Sequence, residues 1–520
     1  MRGAYLISSR RSTFKITAYT QAKNTPHGFA QRKTFMSTQQ PRFPRVARFR
    51  SAEDLRTHLR ALSAPIPLDD AILSAAAGSP LAEPIAISNR SVGNRWCIHP
   101  MEGWDATLDG LPTDILLRRW KHFGTSGAKL IWGGEAVAVV PEGRANPNQL
   151  SAAACGRAGF ATLLATLLDA HRERHGNADD LLVALQLTHS GRFSRPTAAG
   201  RRPRIAYHHP LLDARHGVDP ADISCLLTDD EVETLIDRYV AAAQDAQAAG
   251  FDMVDLKACH GYLIHEFLSA RRRPGRFGGD FLGRTLLLRT IIQRVREACP
   301  SLLIGVRLSL FDIVPWHKVG DHGEPWPYHD LLPYDCGFGV DEQDPTQFDL
   351  AEPIQLLKLL RDIGVVAVNL SAGNPYTVPH ISRPAAFPPS DGYPPPEDPL
   401  AGAWRQISAA REAKAAVPGL VMIGSGYTYL QDYIVHAAQA VVRQGWIDIV
   451  GLGRMVLSYP ELPADSLAGT AIARAAVCRT FSDCTTAPRH GLRSGCYPLD
   501  DYYKSLEPEA SNVKAIKARS

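Results

Sequence analysis

Three things are scarce or missing in this chain of 520 residues. No run approaches about 18 apolar residues, which excludes a helical membrane span. The nine cysteines follow no secretory apolar segment, so free thiols in a reducing compartment are expected rather than a disulfide scaffold. No acidic residue precedes Glu53, and the eleven Lys and Arg of residues 1–52 therefore stand alone. Without that stretch the rest carries 46 basic against 53 acidic residues, a balance of −7, although the whole chain is at +4. A basic face for nucleic acid is thus not expected. The leader over 1–52 has the composition of a mitochondrial transit peptide. The alternative, preferred on the residues, is an over-long start with the natural one at Met36, which makes the protein cytoplasmic.

What is present from about residue 94 onward is an alternation of short apolar runs with helix-length stretches, eight times over. The strand candidates are 96–99, 130–131 continued by 136–140, 181–187, 253–256, 303–308, 365–370, 420–423 and 447–450. Helical patterns follow at 113–125, 152–175, 229–248, 284–298, 353–362, 403–416 and 429–443, with Thr113 and Thr228 as N-caps. Runs such as LLVALQL without polar alternation read as strands buried on both faces. Eight such units predict an α/β fold, a closed (β/α)8 TIM barrel over 94–460, after a lead-in at 53–93 and before an extension at 461–520. A doubly wound sheet is the competing layout, but no strand runs into a GxGxxG turn. The connections after strands five and six, 311–351 and 373–400, are long, and at that face of a barrel they are expected to cover a substrate. Their alternative use is contact between copies in a homo-oligomer.

Polar residues gather at the strand ends: Gln186, Thr188 and His189; Lys257, Cys259, His260 and Tyr262; Arg307 and Ser309. The last three strands end in Ser371-Ala372-Gly373, Gly424-Ser425-Gly426 and Gly451-Leu452-Gly453-Arg454. Glycine-rich backbone opening onto helices there, beside an arginine, suits a phosphate.

Taken in order, the segments NRWCIHPME, GGEAVAVVPEGR, VALQLTHSGR, GFDMVDLKACHGYLIHEFLS, IGVRLS, AVNLSAGNP and IVGLGRM resemble the old yellow enzymes, FMN-dependent NAD(P)H:flavin oxidoreductases. The resemblance spans about residues 85–460. It implies FMN flanked by Pro100, Met101, Glu102 and Ala136. Gln186 would hold the pyrimidine edge, Arg307 would stand near N1 and O2, and Ser371, Gly373, Gly426, Gly453 and Arg454 would hold the phosphate. It also implies NAD(P)H as electron donor and a small-molecule acceptor, bulky or anionic. An activated C=C bond would take hydride from flavin N5, Lys257 and His260 would polarise the activating oxygen, and Tyr262 would protonate carbon.

Two positions depart from the family pattern. Lys257 replaces the usual His, and Glu102 replaces a Thr or Cys that tunes the flavin, so the two are expected to be one paired change. His265 is expected to be structural. A third departure lies in CRTFSDCTTAPRHGLRSGC, which resembles a degenerate form of the cysteine set that binds [4Fe-4S] in the trimethylamine dehydrogenase and 2,4-dienoyl-CoA reductase branch. Cys478, Cys484 and Cys496 keep the spacing, but Phe481 takes the second ligand's place, so buried thiols rather than a cluster are expected. Two other readings stay open. One is an FMN-dependent dehydrogenase of amines or other saturated substrates, and the other is a barrel lyase using Lys257 as a Schiff base.

Overall fold

The computed structural model describes residues 43–320 and 322–519. The part of the leader at 1–42, Met36 included, lies outside the described residues. Within 43–52, Val46 is fully buried in the turn Val46–Arg48, and Ser51 caps the helix Ala52–Ala61 by accepting from Asp54 N.

Eight parallel strands close into a barrel: β1 Trp96–Ile98, β2 Leu130–Ala138, β3 Leu182–Thr188, β4 Met253–Ala258, β5 Leu303–Ser309, β6 Ala367–Ser371, β7 Val421–Gly424 and β8 Ile449–Leu452. β8 pairs with β1, with Val450 opposite Trp96. The helices between them are α1 Asp114–Thr125, α2 Ala152–His175, α3 Asp229–Ala249, α4 Phe281–Ala298, α5 Ala351–Asp362, α6 Pro399–Ala416 and α7 Ile434–Arg443, and α8 Leu462–Ala468 follows β8. Thr113 and Thr228 are N-caps as expected, and Thr228 forms a full capping box with Glu231.

Two expected elements differ. The second strand is one piece rather than two: Gly133 and Gly134, at φ +96° and +47°, make a bulge that a side chain at either position would strain. The last inter-strand helix begins later, because Gln431 at φ +50° separates a 3-10 turn, Tyr427–Tyr433, from α7.

The barrel interior is graded along its axis. At the N-terminal end Cys97, Trp132, Ala184, Met253, Ala367, Ile423 and Ile449 pack into one apolar plug. Trp132 demands space: a Cβ at residue 305 would stand 2.9 Å from its ring, which is why glycine occupies β5 there. Two residues further along each strand, on the same inward side, the set becomes His99, Gln186, Asp255, Arg307, Asn369, Ser425 and Gly451. The site therefore rests on a close-packed apolar floor.

Candidate active site

His99, Gln186, Arg307, Ser425 and Gly451 of the inward polar layer, with the segments above it, line one cavity of about 230 Å³ at the C-terminal ends of the strands. Of the residues expected there, Pro100, Met101, Glu102, Gln186, Lys257, His260, Tyr262, Arg307, Ser371, Gly426, Gly453 and Arg454 all line it. Ala136 and Gly373 do not. Ala136 is fully buried in β2 with its carbonyl accepting from Gln149, and the Gly373 N–H is committed to Phe311 O at 2.7 Å.

One wall is a closed network around Glu102. Its carboxylate accepts from Lys257 Nζ at 2.8 Å, from Trp104 Nε1 at 2.7 Å and from the Tyr262 hydroxyl at 3.1 Å. The Lys257 ammonium also lies 3.8 Å over the Tyr262 ring, and the Tyr262 hydroxyl is 3.1 Å from that of Tyr376. Burial first, and then Glu102, holds the Tyr262 phenol well above its usual range. The geometry thus pairs the two unusual residues with each other. His260 is likewise engaged, with Nε2 2.8 Å from Ser371 Oγ and its backbone held at φ +64° by a bond from N to Ser309 Oγ. Trp104, at φ +57°, is the second strained position of this wall.

Arg119 fastens the loop that carries Glu102. It is buried with Asp105 and Glu135 as partners, and Glu135 accepts from Gly103 N at 2.9 Å. It also donates to Ser494 O at 3.0 Å, which joins the C-terminal extension to the same point.

Beneath them lies a layer whose ionisation burial controls. His99 sits between Asn369 Nδ2 and Ser425 Oγ, each 3.0 Å away, and burial keeps it neutral. Asp255 accepts from Gln186 Nε2 at 2.5 Å; burial raises it to about 6, against the lowering effects of Gln186 and Arg307. The Arg307 Nε is buried with no hydrogen-bond partner, and no carboxylate forms an ion pair with Arg307 among the described residues. An internal ion pair for Arg307 is therefore not what the fold built.

The opposite wall is open in its bonding. Arg454 donates from Nη2 to Pro384 O at 2.8 Å, while its Nη1 is buried without a partner. Arg383 donates to Thr485 Oγ1 at 2.8 Å and leaves its Nη2 unpartnered; burial, together with Arg489 and Arg454, pushes it down to about 9.

Arg383, Tyr376 and Arg489 escaped the sequence reading. The first two sit in the connection after β6, which does cover the cavity as expected. The connection after β5 does not line it. It forms the hairpin Trp316–Val319/His322–Pro325, which packs against the β6 connection through Trp316 and Tyr393. The remaining cover comes from the extension, whose Cys484, Thr485, Pro488, Arg489 and Ser494 line the cavity. Cys478, Cys484 and Cys496 lie near enough to act on one another electrostatically, and burial pushes Cys478 up to about 11. Phe481 stacks on Phe387, with centroids 5.5 Å apart. Among the described residues no group of three or more His, Cys, Asp or Glu side chains is arranged to hold a metal. His265 accepts from Gly261 N through Nδ1, and its Nε2 is buried without a partner, outside this cavity.

The family model for NADH:flavin oxidoreductase / NADH oxidase matches residues 80–324. The chain is 27% identical over 289 residues to an NADH oxidase of Thermoanaerobacter brockii, a match covering 55% of this chain and 36% of that protein. It thus spans about a third of that relative's length. It is also 27% identical over 392 residues to an NADPH dehydrogenase of a Geobacillus species, covering 74% of this chain and 92% of the relative. In fold it is similar to the old yellow enzyme homologue of Zymomonas mobilis, with a TM-score of 0.51 at 23% identity over 75% of this chain and 93% of that one.

Proposed function

We propose, on the premise that the chain belongs to the old yellow enzyme family of FMN-dependent oxidoreductases, that it uses NAD(P)H to reduce an electron-poor C=C bond. The observation that carries this reading is the convergence of Tyr262 and a set of unpartnered guanidinium donors on one cavity above the barrel floor.

The residues fit the flavin. Arg307, Arg454 and Arg383 each hold a buried N–H without a partner, as an anion site and the pyrimidine edge of a flavin require. At Gly453 a Cβ would meet nothing nearer than Met101 Sδ at 3.7 Å, so the backbone faces open space. Met101 and Pro100 would flank the ring system, Gln186 and Arg307 would meet its polar edge, and Gly426, Gly453, Arg454 and Arg383 would hold the phosphate. Bound FMN supplies a two-electron carrier that accepts hydride from NAD(P)H and delivers it to the acceptor.

The chain's own residues do the rest. Tyr262 supplies the proton to carbon by turning its hydroxyl from Glu102, to which it donates in the folded protein, towards the substrate. Tyr376, hydrogen-bonded to Tyr262, links that phenol towards the rim for proton return. An ammonium has three N–H donors and Lys257 spends one on Glu102, so it polarises an incoming oxygen by sharing its charge. His260 does so by exchanging its bond to Ser371.

One observation favours a second reading within the family. The Tyr262 hydroxyl donates to a carboxylate, the arrangement for taking a proton from a substrate, and this suits dehydrogenation of an amine or other saturated compound. A lysine whose Nζ is held by Glu102 gives no support to Schiff-base chemistry.

The test is anaerobic and spectroscopic. The purified protein should show a flavin band that NAD(P)H bleaches and an activated alkene restores. Bleaching by saturated substrates alone would favour the second reading, and a colourless protein that does not take up FMN would overturn both.

A further inference from the structure

Tyr376 and Arg489 line the outer end of the cavity, and Arg215 and Arg201 stand just outside it. The Tyr376 ring stacks on Phe193, with centroids 4.3 Å apart, and Arg489 lies 5.4 Å over that ring. Arg215 donates to Tyr376 O at 3.1 Å and to Trp316 O at 2.9 Å. Arg201 reaches His216 Nδ1.

The compensation is thin. Asp391, half exposed, is bonded to Arg489, and among the described residues Arg201 and Arg215 have no carboxylate partner. His216 adds no negative charge, and burial and the surrounding arginines push it down to about 3, which leaves it neutral. Glu102, further in, is taken by Lys257, Trp104 and Tyr262. Burial disfavours the charge on Arg489, which is further opposed by Arg201 and Arg215, two exposed groups at the rim. Arg383 and Arg454 answer to the phosphate of FMN, a dianion, but the three groups at Tyr376 have no such account. Arg215 is occupied by two backbone carbonyls, which leaves Arg201 and Arg489 with N–H groups to offer.

We infer that this end of the cavity receives an anionic group, a carboxylate or phosphate, held by Arg201 and Arg489 beside Tyr376. The inference rests on the reading that the cavity takes FMN and transfers hydride. It moves the anion preference expected from Lys257 out to the rim, since Lys257 is committed to Glu102. Two ligands of the reaction could carry such a group, the acceptor itself or NADPH through its ribose phosphate.

The test compares ligand pairs that differ by the anion alone. Benzoylacrylate against its methyl ester, and NADP⁺ against NAD⁺, are titrated into wild type, Arg201→Gln and Arg489→Met with FMN bound. Binding is read from perturbation of the flavin band, so no turnover is required. Wild type should prefer the anionic member of at least one pair by about tenfold or more, the scale of a charge-assisted contact. Arg489→Met should bring that ratio close to one, and Arg201→Gln should reduce it several-fold. A fall in the benzoylacrylate ratio assigns the anion to the acceptor, and a fall in the NADP⁺ ratio assigns it to the ribose phosphate of the nucleotide. If a variant does not fold, the wild-type preference must shrink as ionic strength rises from about 0.05 to about 0.5 M. No preference in wild type, or ratios untouched by both substitutions, overturns the inference. Bleaching of the flavin by NAD(P)H without any alkene reports on the underlying reading separately.

Discussion

The two walls of the cavity handle buried charge in opposite ways. Around Glu102 every charge has found its complement within the chain: a carboxylate with three donors, a lysine with a carboxylate and an aromatic face. Around Arg383 and Arg454 guanidinium groups crowd one another, and N–H groups go unmet. Burying an unpaired charge costs several kcal/mol unless something returns it. The wall at Glu102 is therefore complete as folded. The wall at Arg383 is left with unmet donors, as the proposed anion site requires.

The largest effect expected breaks the closed wall. Lys257→Met leaves Glu102 buried without a cation and should lower stability by about 3 kcal/mol in denaturant titration. Adding Glu102→Gln should restore most of the loss, and purely additive losses would show that the pair is not a unit. On the open wall the signature reverses. Arg454→Ala should barely change the stability of the FMN-free protein yet weaken FMN binding, followed by flavin fluorescence, by about ten- to a hundredfold. Equal losses in both measurements would erase the contrast.

Asp255 lies between the walls and sharpens the comparison through pH. Its folded-state value is raised from near 3.8 to about 6, chiefly by burial. Its contribution to stability is thus fully present below about pH 4 and is lost as pH rises through about 6. Asp255→Asn should remove up to about 2 kcal/mol of that decline, and an unchanged slope between pH 4 and 6 would locate the titration elsewhere. The smallest effect should come from Thr485→Val. It takes one acceptor from Arg383 and should cost about 1 kcal/mol in stability in denaturant titration, while FMN affinity rises a few-fold because the arginine is freed towards the phosphate.

The barrel was legible because its strands are unbroken apolar runs and its helices carry ordinary caps, and each expected strand lies within a few residues of the observed one. The same apolar runs hid the inward alternation. Within them, Asp255 and Asn369 read as isolated polar residues, and only the two-residue spacing from Met253 and Ala367 shows that they face the axis. The residues on the cavity wall were legible where a resemblance named them and the barrel brought them to one end. Arg489 and Ser494 were not, because they reach the site across the whole chain: Arg119 meets Ser494 over 375 positions, and no local periodicity announces such a contact.

The junction at Arg119 ties the loop at the barrel mouth to a segment far along the chain. Residues 484–494 leave the ribosome only after all eight strands, so the barrel can close while its mouth still lacks one side. On the proposed reading, FMN would have access to the arginines of the open wall until the final segment crosses it and Ser494 meets Arg119.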